Sequence, residues 1–289
     1  MRPRIIIIDL DGTLLDPAGA VPEAHQAAVS MAREQGLEIV VATGRNWTES
    51  RPALAAIEAD GVMIAAGGAM LCDARSGDTL HRSALPADLV RSVTDCLLRH
   101  GHLVHLLQDH SEAGLDYVMV GSSPPDPATA WWLDAHDVSV EWIDEPGARA
   151  FEHTVRVGTV GDEASLQSAV LELEASHGDR VMLQHWPAVV ESKATGQPVH
   201  LLEVFNAGVD KWTMVEHLLG QRSITPAEVV AIGDGLNDVR MIGEAGRGIA
   251  MGQGDSRVHA VSDHVVGCNS SGGVAEAIEL TLSFLVGNG

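Results

Sequence analysis

The chain has 289 residues, 45% of them hydrophobic and 20% charged, and a formal net charge of −22; this is enough for one large or two modest domains with proper cores. So acidic a protein lacks the basic surface that grips a nucleic-acid backbone. No apolar run approaches the ~20 residues that span a bilayer, so neither nucleic acid nor membrane is an expected partner.

Three details of usage sharpen this. Sixteen of the 18 basic residues are Arg, so Lys193 and Lys211 depart from the chain's habit. The cysteines Cys72, Cys96 and Cys268 lie far apart without CxxC spacing. They read as small buried apolar residues in a reducing compartment, neither a disulfide framework nor a zinc site. The opening "MRPRIIIIDLDG" is no signal peptide, because its apolar run stops at Asp9, and a cytoplasmic location is expected.

Taken in chain order, runs rich in Ile and Val predict strands at Arg4–Asp9, Glu38–Thr43 and Gly61–Ala65. Further strands are predicted at Val199–Phe205, Val229–Gly233, Gly248–Met251 and His264–Val266. Helices are predicted over Glu23–Gln35, between Pro22 and Gly36, over Lys211–Leu219 with an apolar stripe, and over Val274–Leu285. Strands apolar on both faces, alternating with helices, indicate a parallel sheet covered on two sides. The middle of the chain holds its own strand runs at Leu103–Leu107, Tyr117–Val120, Val138–Trp142, Thr154–Val160 and Val181–His185, with helices at Asp88–His100 and Glu163–Ser176. The fold class is therefore α/β, with a Rossmann-like core made of residues 1–83 and 198–289 and an inserted α/β domain at 84–197.

Ligands of a parallel α/β sheet bind beyond the carboxyl ends of its strands, and four unusual stretches fall there. In "DLDGT", Asp9 ends a strand, Gly12 permits a sharp turn, and Asp11 stands two residues on. One carboxylate can attack as nucleophile while the other moves protons, although a plain Asp-Gly turn has the same look. In "VVATGR", Thr43 and Gly44 can hold a phosphoryl oxygen, or merely cap the next helix. In "GVDKW", Lys211 opens a helix and supplies a compact positive charge; Lys193, in a Gly/Pro-rich loop, competes less well. In "VVAIGDGLNDVRMI", Asp234 and Asp238 suit a hard divalent cation such as Mg²⁺, and Asn237 or Asp238 can also cap a helix.

"DLDGT", "ATGR", "DK" and "GDGLNDVRM" together resemble the haloacid dehalogenase superfamily of phosphohydrolases, most closely its Cof-type, sugar-phosphatase-like branch. The inserted domain, between the second and third of these motifs, is similar to that branch's α/β cap. The resemblance implies a nucleophilic Asp9 that forms an aspartyl-phosphate, with Asp11 as general acid and base. It implies Thr43, Gly44, Lys211 and Asn237 on the phosphoryl group, and Mg²⁺ held by Asp9, the Asp11 carbonyl and Asp234, with Asp238 in support. Asn269 is expected to add a polar contact near the phosphate or Asp234. One departure is visible: Gly67-Gly68-Ala69 stands where many Cof-type members read Asn-Gly-Ala. The expected activity is hydrolysis of small phosphorylated metabolites, chiefly sugar phosphates. The other readings are a phosphomutase, a phosphorylatable receiver-like signalling module, and an inactive binding protein. His105, Gln108, His185 and Trp186 of the inserted domain read as ordinary core residues ahead of substrate contacts.

Overall fold

A computed structural model of the chain describes residues 2–187 and 199–286, so Lys193 lies outside the described residues. The strands are β1 (Ile5–Ile8), β2 (Glu38–Ala42), β3 (Val62–Ala65), β4 (Met70–Asp73), β5 (Thr79–Arg82), β6 (Val104–Gln108) and β7 (Tyr117–Val120). They continue with β8 (Val140–Ile143), β9 (Thr154–Gly161), β10 (Val181–Pro187), β11 (His200–Asn206), β12 (Val229–Gly233), β13 (Arg247–Ala250) and β14 (His264–Val265). The helices are α1 (Glu23–Glu34), α2 (Trp47–Ala56), α3 (Ala87–Arg99), α4 (His110–Ala113) and α5 (Pro127–Ala135). After them come α6 (Glu163–His177), α7 (Lys211–Arg222), α8 (Val239–Glu244), α9 (Ser256–His259) and α10 (Gly273–Val286).

Two compact units result, one from residues 1–80 with 210–289 and one from 81–209. In the first, the described strands form a sheet ordered β14-β13-β12-β1-β2-β3-β4-β5. Strand β1 is parallel to both neighbours, with Ile5–Ile8 registered on Val229–Ile232 and on Glu38–Val41. All four isoleucines are fully buried, each worth roughly 1.5–3 kcal/mol of apolar burial. Because strand side chains alternate, Ile5 and Ile7 pack with Val40, Ala231, Trp212, Val215, Leu218 and Leu219. Helices α1 and α10 pack on each other and touch β2 and β12 respectively. Strand β4 turns back antiparallel to β3, and β5 extends the sheet beyond it; neither is among the predicted strands.

The second unit carries a six-stranded sheet ordered β10-β11-β9-β6-β7-β8. Its pairs are antiparallel except β7 with β8. Leu89, Val93 and Leu97 of α3 and Leu166 and Leu173 of α6 meet Val104, Leu106, Val157 and Leu202 of the sheet in one core. Here the sequence reading needs correction. The strand expected at Val199–Phe205 as part of the Rossmann-like core runs His200–Asn206 and pairs with β10 and β9. An apolar strand looks the same whichever sheet receives it, so the sequence placed the return to the core about a strand too early.

Candidate active site

The end of β1 sets the geometry. After Ile8 the chain makes one wide turn over Leu10–Leu14, in which Leu14 N donates to Asp9 O and Leu15 N to Leu10 O. Wide turns of this kind recur at functional sites. Gly12 makes the turn possible: its φ is +79°, and a Cβ there would lie 2.2 Å from Asp234 Oδ2. Only glycine tolerates both conditions.

The carboxylate of Asp9, 4% exposed, meets Lys211 across the sheet. Lys211 Nζ donates to Asp9 Oδ1 at 2.5 Å and to Asp238 Oδ1 at 2.7 Å. The lysine is 1% exposed. Burial acts to lower its pKa, but Asp238 and Asp9 outweigh burial and raise it, so the ammonium is permanent. Helix α7 holds it there. Asp210 caps the helix by accepting from Thr213 N at 2.7 Å, and Gly68 lets the cap come close. A Cβ on Gly68 would sit 2.1 Å from Asp210 O, and its φ is +102°.

Burial, then the negative charge of Asp238, raise the pKa of Asp9 well above the usual carboxylate range, against the pull of Lys211. Burial also pushes Asp234 up to about 6, against a hydrogen bond from Thr13 and with Asp238 adding to the rise. That bond, Thr13 Oγ1 to Asp234 Oδ1 at 2.7 Å, leaves Asp234 Oδ2 open. Asp238 is fully engaged: Oδ1 takes Lys211, and Oδ2 accepts from Asp234 N and Gly235 N at 3.0 Å each. It fixes both the lysine and the turn that carries Asp234. Carboxylate oxygens of Asp9, Asp234 and Asp238 all lie within 4.8 Å of one another. This all-oxygen, over-negative set suits a hard divalent cation.

Asp11 has a partner that sequence reasoning missed. Arg45 donates from Nε to Asp11 Oδ2 at 2.9 Å and from Nη2 to Oδ1 at 2.6 Å. This is a two-bonded, planar grip that Lys could not reproduce. Arg45 stands in the quoted "VVATGR", so the signal was present without a reason to single it out. Its backbone N–H also donates to Thr43 Oγ1 at 3.1 Å, linking buried Thr43 to the same corner. Gly44 and half-buried Asn237 lie on the loops after β2 and β12, and no described hydrogen bond joins Asn237 to the carboxylates. Asn269 takes a different part from the expected one. Its Nδ2 donates to Leu15 O at 2.7 Å, and its backbone N–H donates to Gln253 Oε1 at 3.1 Å. Gln253 in turn donates to Gly12 O at 2.5 Å. Both residues therefore brace the turn after β1 from outside the carboxylate set.

In the other unit, Gln108 is buried and donates to Thr154 Oγ1 at 2.9 Å. Burial pushes the His105 imidazole down to about 4. Both behave as internal structural groups.

The site can be set beside known proteins. The pyridoxal phosphate phosphatase YbhA of Escherichia coli K12 is 26% identical over 286 residues, covering 96% of this chain and 98% of its own. The 5-amino-6-(5-phospho-D-ribitylamino)uracil phosphatase YcsE of Bacillus subtilis is 24% identical over 276 residues, covering 95% and 94%. The solved structure of the subclass IIB sugar phosphatase BT4131 superposes with a TM-score of 0.79 at 19% identity, covering 97% of this chain and 99% of that one, and so shares the fold. The family model of haloacid dehalogenase-like hydrolases matches residues 6–278, a span that holds every strand residue of both sheets except Ile5 and every carboxylate described above. On that match the chain belongs to the haloacid dehalogenase-like hydrolases.

Proposed function

We propose that this chain, a phosphoric monoester hydrolase of that family, is a cytoplasmic, Mg²⁺-dependent phosphatase of small phosphorylated metabolites that works through an aspartyl-phosphate on Asp9. Sugar phosphates are the narrower substrate class proposed, alongside the compounds named for YbhA and YcsE. The observation that carries the reading is the buried Lys211 bridging Asp9 and Asp238, within a carboxylate set that a single lysine leaves over-negative. No helix among the described residues is long and apolar enough to cross a membrane.

The open oxygens of Asp9 and Asp234 and the Asp11 backbone carbonyl would hold Mg²⁺. Bound there, the cation would draw charge from the phosphoryl oxygens and hold the group against Asp9. Lys211 favours the charged form of Asp9 and orients it for in-line attack, and its ammonium offsets charge on the phosphoryl oxygens. The Thr43 hydroxyl, at the neighbouring strand end, has a hydrogen to donate to the same oxygens. Asp9 bonds to phosphorus as the ester oxygen leaves, taking a proton from Asp11. Asp11 then removes a proton from water, which attacks phosphorus and releases phosphate with Asp9 restored.

Phosphate release from a panel of sugar phosphates, pyridoxal phosphate and phospho-ribityl compounds, with Mg²⁺ and with chelator, tests this. Release that needs Mg²⁺ and vanishes in Asp9→Asn, with an unchanged far-UV spectrum, is expected. Turnover retained by that variant would overturn the nucleophile. Isomerisation with a bisphosphate activator and no net release would instead select the phosphomutase. The receiver-like reading loses ground because the family match spans two sheets where a receiver has one domain of roughly 120 residues.

A further inference from the structure

The unit formed by residues 81–209 contains a second group of ligating side chains, independent of the phosphatase chemistry. Cys96 and His100 stand four positions apart along α3 and its final turn, so they share one face. Glu172 faces them from α6. The thiol, an imidazole nitrogen and a carboxylate oxygen all lie within 4.8 Å of one another.

The details suit a cation better than a surface ion pair. Cys96 is 3% exposed and belongs to the apolar core under α3 and α6, yet its sulfur lies within 4.8 Å of a Glu172 carboxylate oxygen. His100 Nε2 lies 2.8 Å from Glu172 Oε2, while Arg99 Nη2 donates to the other oxygen, Oε1, at 2.5 Å. An ion pair explains Arg99 and His100 but gives no reason for a buried thiol beside the same carboxylate. Sulfur, imidazole nitrogen and one carboxylate oxygen are the donors of a zinc-class ion, with three protein ligands and one open position. The open position has an outlet, since the His100 and Glu172 side chains are 25% and 40% exposed. Arg99 would stay on Oε1 as the outer partner that orients the ligating carboxylate.

We propose that Cys96, His100 and Glu172 form a binding site for a zinc-class divalent cation that staples α3 to α6. On binding, the Cys96 S–H bond breaks, its proton goes to solvent, and the sulfur electron pair bonds the metal; His100 ligates as the neutral imidazole. Because the thiol gives up its proton on ligation, binding tightens as pH rises.

The test uses the full chain, stripped with chelator and titrated with Co²⁺, because a thiolate ligand produces a sulfur-to-cobalt charge-transfer band that an all-oxygen site cannot. One equivalent of that band is expected in wild type and in Asp9→Asn, and none in Cys96→Ser. Zn²⁺ competition against a chromophoric chelator should show affinity weakened more than roughly tenfold in His100→Ala, a half-exposed change that spares the core. Zn²⁺ should also raise the Tm of wild type by more than that of His100→Ala, which keeps the carboxylate set at Asp9 and Asp234. Absence of the band in wild type, its survival in Cys96→Ser, or equal Zn²⁺ affinity in His100→Ala would each overturn the proposal.

Discussion

At the scale of single residues, the site is a problem in charge. Asp9, Asp11, Asp234 and Asp238 converge, with Lys211 and Arg45 as the described cations in contact with them. Lys211 sits between two carboxylates as a compact point charge, while Arg45 grips a third in a plane. The Arg45 grip carries a prediction. Arg45→Ala frees the Asp11 carboxylate to rotate, so kcat should fall roughly 10- to 100-fold, the scale of a misplaced catalytic group, with KM little changed. Arg45→Lys should restore only part of the loss, because it offers one donor direction. A rise in KM at unchanged kcat would show that Arg45 binds substrate instead. The acidic residues and the lysine were legible in the sequence because their residue types are unusual at strand ends. Arg45, Thr13 and Gln253 were not: each earns its role from a partner 34, 221 or 241 positions away.

At the scale of elements, strand ends and helix starts hold these groups in register. Lys211 reaches Asp9 only because α7 begins directly against the turn at Gly68. Gly68→Ala should therefore displace the start of α7, since a Cβ at 2.1 Å from a backbone oxygen must be relieved by movement. Activity should drop at least tenfold, while thermal denaturation, dominated by the packed stripe of Trp212, Val215, Leu218 and Leu219, shifts by a few degrees. Unchanged kinetics would show that the helix start has slack. Helices α1, α7 and α10 were readable from periodicity and end signals. The short strands β4 and β5 were not, because four residues with mixed burial carry too little alternation to register.

At the scale of the whole molecule, the carboxylate set is a cost that the fold carries until a cation arrives. The pKa of Asp234 rises from 3.8 to about 6 mainly through burial. A folded-state value above the unfolded one means that protonation favours the folded form. Stability from this group is therefore gained as pH falls through about 6 and lost as pH rises, by up to roughly 3 kcal/mol. In chelator at pH 8, Asp234→Asn should be more stable than wild type, with the gap closing toward pH 5. Excess Mg²⁺ should stabilise wild type and leave the variant nearly unmoved. Comparing the two proteins cancels other titrating groups such as His105, whose lowered pKa takes stability away as pH falls. Equal stability at both pH values would show that Asp234 is not strained by burial.

By itself the sequence determined the α/β class, a parallel sheet covered on two sides, and the acidic and lysine residues at its strand ends. These follow from local physics: apolar runs bury, glycines turn, and charged groups beside a buried strand need a purpose. Only the tertiary structure decided which sheet takes β11, which carboxylate Lys211 and Arg45 each hold, and that Asn269 braces the turn after β1. It also decided that Cys96 and His100 face Glu172, a juxtaposition that the spacing of the cysteines gave no sign of. Those outcomes depend on contacts between residues far apart in sequence, and pairing at a distance leaves no trace in a local pattern.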